Sequence, residues 1–106
     1  MTSSPRPASL GTEHEIALGP GKVRYFENGP SDGPVVVFVH GLLVNADLWR
    51  HIVPIAVEAR LHTYTVDWPL GSHSIPVPDA DLTPPGVADL IAEFVERLDL
   101  TDVTIV

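Results

Sequence analysis

The first residue in this chain placed to do chemistry is His40, which with Gly41 ends the run Val35-Val36-Val37-Phe38-Val39. Imidazole titrates near neutrality and serves as a general base, but that work needs a nucleophile within reach. The six serines do not supply one. Ser3, Ser4 and Ser9 lie in a leader, Ser31 in a turn, and Ser72 and Ser74 in a long loop. His40 therefore reads as a structural histidine, hydrogen-bonded to nearby backbone. Ser72-His73-Ser74 sets hydroxyls beside an imidazole, yet neighbours in a loop rarely face one another, so no catalysis is assigned there. His40, His51 and His62 recur every 11 residues. Convergence on a metal is not expected, because the three fall on a strand end, a helix and a strand start. Asp67 reads as closing a turn after its strand. Trp49 and Trp68 read as core or pocket wall. No G-x-G-x-x-G loop is present to cradle a dinucleotide.

The elements that must position these groups follow from periodicity. Five apolar residues in a row, four of them valine, predict a strand at 35–39 buried on both faces. Open α/β sheets place ligands outside the carboxyl ends of such strands. Before it, runs 14–18 and 22–27 flank Gly19-Pro20-Gly21 and predict a β-hairpin. After it, Asp47 is the expected N-cap of a helical stretch through Ala56, and Pro54 predicts a kink or two short pieces. Residues 62–68 (HTYTVDW) predict a second buried strand. Pro69 to Leu82 form a long loop of the kind that often carries function. Val87, Leu90, Ile91, Phe94, Val95 and Leu98 make one apolar stripe, predicting a helix at 84–98 with Thr83 as N-cap and Pro84 at N1. Asp102 to Val106 read as a last strand. The order β-β-β-α-β-α-β implies a parallel sheet after an initial hairpin.

Composition narrows the function classes. At 106 residues the chain is one domain at most, and 44% hydrophobic content is enough for a core. A net charge of −8 argues against nucleic acid and anionic membrane surfaces as partners. Without cysteine there are no disulfides or thiolate metal sites. Residues 1–12 read as a flexible leader with nothing to pack, and they lack the apolar core of a secretory signal. A cytoplasmic protein without cofactor or metal is the expectation.

An apolar strand, His40-Gly41, a loop, Trp49 on the next helix and a strand running into Asp67 together resemble the α/β-hydrolase family. Gly33-Pro34 before the valines adds to the likeness. So does Asp67-Trp68-Pro69-Leu70-Gly71-Ser72-His73-Ser74, which stands where that family has Asp-x-x-Gly-x-Gly-x-Ser. The resemblance spans residues 13–106, and implies a partial α/β-hydrolase domain: a β-hairpin followed by parallel β-α-β-α-β. It implies that the backbone N–H of Leu42 contributes to an oxyanion hole, with His40, Gly41 and Leu43 supporting the loop or touching substrate. Haloalkane dehalogenases usually carry Asn or Glu where Leu42 stands, and epoxide hydrolases usually carry Pro where Leu43 stands. Both departures favour esterase-like or carbon–carbon hydrolase relatives and a small-molecule substrate.

The family's nucleophile sits in a G-x-Nu-x-G elbow directly after the strand matching 102–106. Nucleophile, acid and catalytic histidine are all absent from these 106 residues, so the expectation is a front portion that is inactive alone. The alternative is a non-catalytic module that associates through an open edge strand at 102–106.

Overall fold

The computed structural model describes residues 6–41, 45–69 and 83–106. Strands β1 (Thr12–Ala17) and β2 (Lys22–Asn28) form the antiparallel hairpin, with His14 opposite Tyr25 and Ile16 opposite Val23. Three further strands follow: β3 (Val35–Phe38), β4 (His62–Val66) and β5 (Thr104–Ile105). Helix α1 (Val53–Glu58) joins β3 to β4, and α2 (Pro84–Arg97) joins β4 to β5. The sheet order is β1-β2-β4-β3-β5, antiparallel from β1 to β4 and parallel across β4, β3 and β5.

Strand β3 is buried on both faces, as its unbroken valines predict. Val37 joins a cluster with Val23, Tyr25, Tyr64, Val66, Trp68, Leu90 and Phe94 under α2. Val36 and Phe38 point the other way, into Leu10, Phe26, Ala46, Val53 and Ala56 under α1. Period-2 alternation in the strands therefore feeds two cores, one helix to each face. Phe94 anchors the first by meeting Tyr25 and Trp68 edge-on, at centroid distances of 5.2 and 5.5 Å. Thr83 caps α2 as expected, its Oγ1 accepting the N–H of Gly86 at 3.3 Å.

The helical stretch after β3 forms two short pieces, as Pro54 predicts: a 3-10 turn (Ala46–Trp49) and α1, with Pro54 in the first turn of α1, where its missing N–H costs nothing. Two boundaries differ from the sequence reading, each for a physical reason. The cap is Asn45 and not Asp47: Asn45 Oδ1 accepts the N–H of Asp47 at 3.0 Å. Strand β5 begins only at Thr104, because Asp102 adopts a left-handed φ of 53°.

The leader also departs from expectation from residue 6 onward. Leu10 is fully buried, Ser9 Oγ donates to the carbonyl of Arg50 at 2.8 Å, and Asn28 Nδ2 donates to the carbonyl of Ser9 at 3.1 Å. Gly11 turns this arm into β1 with a φ of 103°, and a Cβ there would collide with the Glu27 carbonyl, so only glycine fits. The loop read at 69–82 lies outside the described residues beyond Pro69.

Candidate functional site

The carboxyl ends of β3 and β4 bring together His40, Gly41, the Ala46–Trp49 turn, Asp67 and Trp68. His40 is 2% exposed, and its Nδ1 donates to the carbonyl of Gly41 at 2.8 Å. That bond puts the ring hydrogen on Nδ1, since a carbonyl only accepts. Nε2 is buried without a hydrogen-bond partner among the described residues. A Cβ added at Gly41 would meet no atom of the described residues within 4 Å, its chain neighbours aside. Leu42 and Leu43 lie outside the described residues.

The second wall is built on Asp67, whose side chain is 1% exposed. Its Oδ1 accepts the backbone N–H of Ala46 at 2.9 Å and Arg6 Nη2 at 2.9 Å, and its Oδ2 accepts Arg6 Nη1 at 2.6 Å. Arg6 Nε donates to Asp47 Oδ1 at 2.7 Å, and the guanidinium lies 4.9 Å from the centre of the Phe26 ring. Burial disfavours the charge on Arg6, but hydrogen bonds to Asp67 and Asp47, and then their charges, outweigh it and raise the guanidinium pKa above its ordinary value. Trp68 is fully buried, and its Nε1 donates to the carbonyl of Phe38 at 3.2 Å, tying the end of β4 to the end of β3.

Sequence reading placed His40 and Gly41 correctly at a buried strand end, and missed Arg6 as the partner of Asp67. Nothing local links positions 6 and 67; the only signal is that a carboxylate at a buried strand end requires a cation. Nor do His40, His51 and His62 converge. His62 pairs with Val35 at the amino end of β3, and its Nε2 donates to Glu27 Oε2 at 2.6 Å. His51 is exposed. No group of three His, Cys, Asp or Glu side chains is arranged to hold a metal among the described residues. A second polar cluster lies toward that amino end, where Glu27 also faces His14 Nε2 at 3.4 Å and accepts from the Tyr64 hydroxyl at 3.3 Å. An open groove of 460 Å³ lined by Asp32, Pro34, Val35, Thr101 and Asp102 lies at the amino ends of β3 and β5, away from His40. No helix among the described residues is long and apolar enough to cross a membrane.

A hairpin leading into parallel β4-β3-β5, with a helix on each face and a His-Gly turn at the end of the central strand, is the N-terminal portion of an α/β-hydrolase fold. Solved α/β-hydrolase structures superpose on it over about nine-tenths of its length. An epoxide hydrolase of the α/β-hydrolase superfamily from hot-environment metagenomes is 26% identical, with a TM-score of 0.75 over 90% of this chain and 32% of its own. A bacterial membrane phospholipase A shares the fold at 23% identity and a TM-score of 0.81, over 94% of this chain and 32% of its own. A haloalkane dehalogenase from Paraglaciecola agarilytica shares it at 20% identity and a TM-score of 0.74, over 93% of this chain and 35% of its own. The chain thus spans about a third of the length of these structures. No family model matches the sequence, and no curated protein matches it.

Proposed function

We propose that residues 13–106 form the front portion of an α/β hydrolase acting on a small molecule, of esterase-like or carbon–carbon hydrolase type. In this reading the backbone N–H of Leu42 stabilises developing oxyanion charge, while His40, Gly41 and Leu43 support the loop that presents it. The carrying observation is the parallel β4-β3-β5 arrangement, which sets His40-Gly41 at the carboxyl end of the central strand. Ester or carbon–carbon hydrolysis then requires a nucleophile, an acid and a histidine from outside these 106 residues, so the chain alone is inactive.

The test has two parts. The coding sequence downstream of Val106 should contain G-x-S-x-G or G-x-D-x-G, and the full-length protein should hydrolyse p-nitrophenyl acetate. The 106-residue chain should do no better than free imidazole at matched histidine concentration. Saturable hydrolysis with a burst phase by the short chain would refute the reading and redirect attention to Ser72 and Ser74.

One observation favours a second reading. Among the described strands β5 pairs only with β3, and Ile105 and Val106 are 48% and 54% exposed. An apolar edge without lysine or proline is a template for a second chain, so the non-catalytic alternative is self-association through 102–106. A stop codon after Val106 with a folded, soluble product would favour it.

A further inference from the structure

We propose that Arg6 is a positioning residue for the candidate site, an inference that rests on the hydrolase reading only for its catalytic consequence. The arm 6–11 acts as a strap: through Asp67 and Asp47, Arg6 holds the Ala46–Trp49 turn against the carboxyl end of β4. In sequence that turn begins five positions after Gly41.

The geometry leaves little slack. Planar guanidinium recognises two carboxylates at once, donating two bonds to Asp67 at 2.6 and 2.9 Å and a third to Asp47 at 2.7 Å. Asp67 has one oxygen turned to the backbone, accepting from Ala46 at 2.9 Å in buried surroundings. Without Arg6, a nearly inaccessible carboxylate keeps only the Ala46 N–H and must turn toward water to recover its lost partners. That rotation loosens its hold on Ala46. The strap itself is fastened independently, by Leu10 in the core and by the Ser9 bonds to Arg50 and Asn28. Loss of Arg6 thus frees the Ala46–Asp47 end of the turn from the strap, while Ser9 still holds its Arg50 end. Lysine carries the charge but presents a single ammonium, so it cannot reproduce the two-carboxylate grip.

The test uses the natural full-length protein with Arg6→Met and Arg6→Lys, and Leu90→Ala as a control that weakens the opposite core. The first readout is amide hydrogen exchange. In Arg6→Met, exchange at Ala46 and Asp47 should rise at least about tenfold relative to Val37 and Tyr64, and added guanidinium should restore protection. The second is ester hydrolysis well below the melting temperature. There kcat should fall about tenfold with KM little changed, since small misplacement of catalytic groups costs up to about 100-fold. Arg6→Lys should recover only part of it, and Leu90→Ala should keep kcat at a comparable loss of thermal stability. Unchanged relative exchange at Ala46 and Asp47, or an equal fall in kcat for Leu90→Ala, would overturn the proposal. If the wild-type protein hydrolyses no ester, the hydrolase reading fails and the exchange readout alone decides for or against the strap.

Discussion

Glu93, in the middle of α2, accepts the backbone N–H of Gly19 with both carboxylate oxygens, at 2.9 and 2.8 Å. A side chain 74 positions away thereby caps the turn of the β1-β2 hairpin and fixes the hairpin to the helix that covers one face of the sheet. Charge-assisted bonds of this kind exceed neutral ones, though exposure lowers their net value. Glu93→Ala should cost about 1 kcal/mol in urea unfolding of the full-length protein, and Glu93→Gln about half of that. Arg97 meets the same carboxylate at 3.1 Å but is half exposed. Arg97→Ala should therefore change stability by less than about 0.5 kcal/mol.

Trp68 separates two contributions to the join between β3 and β4. Trp68→Phe keeps an aromatic ring against Phe94 but deletes the donor to the Phe38 carbonyl. The expected loss is about 1–2 kcal/mol. Trp68→Ala also empties a fully buried site in the α2-facing core, with an expected loss of about 3–5 kcal/mol. Urea unfolding followed by circular dichroism distinguishes the two; equal losses would mean that the hydrogen bond, not the ring, ties the strands.

Tyr64 should ionise late. Burial is the main cause, followed by the charge of Glu27, its hydrogen bond to the Tyr64 hydroxyl, and Tyr25; together they push the phenol up to about 12. Tyr25 shifts in the same direction, from burial and then Glu27. A phenol whose folded pKa is raised keeps its proton in the folded state while the unfolded chain loses it. This contribution to stability is therefore complete below about pH 10 and is lost as pH climbs from there toward 12. The two tyrosines are the only ones in the 106-residue chain, so their onset can be followed at 295 nm as the folded chain is titrated. Absorbance should stay flat near pH 10, and Glu27→Gln should bring the Tyr64 step down. A normal step near pH 10 in the folded protein would refute the buried Tyr64–Glu27 contact.

What the sequence made legible is local and periodic. Val35 to Val39 carry their double burial in composition alone, and the stripe from Val87 to Leu98 announces one face of α2. Strand-helix alternation does not by itself specify which strand is central. The strap was illegible because its single apolar anchor, Leu10, belongs to no pattern, and because Arg6 and Asp67 meet across 61 positions. Asn45 took the cap expected of Asp47 because capping preferences do not discriminate between two good residues two positions apart. The same locality hid Glu27, whose contacts with His14, His62 and Tyr64 depend on register across three strands.

Ile105 distinguishes the two readings of the chain, because lysine there has opposite effects in each. Val106 continues the pairing of β5 with β3, donating to the Val37 carbonyl at 3.0 Å and accepting from Val39 at 2.7 Å. One side of β5 is thus occupied, and Ile105 stands in register with Val37, on the α2 side of the sheet. In the 106-residue chain an open apolar edge should recruit a second copy, so light scattering after size exclusion should show species above the 11.4 kDa monomer. Ile105→Lys adds a charge to that edge and should raise soluble monomer several-fold. In a full-length hydrolase the following strand covers the edge, so Ile105→Lys buries a charge. The melting temperature should then fall by about 2–4 °C for each kcal/mol lost, the scale of a domain larger than these 106 residues. A monodisperse wild-type monomer of the short chain with a cooperative melt would reject edge pairing. An Ile105→Lys full-length protein that melts like wild type would reject the covered edge, and with it the placement of a next strand beside β5.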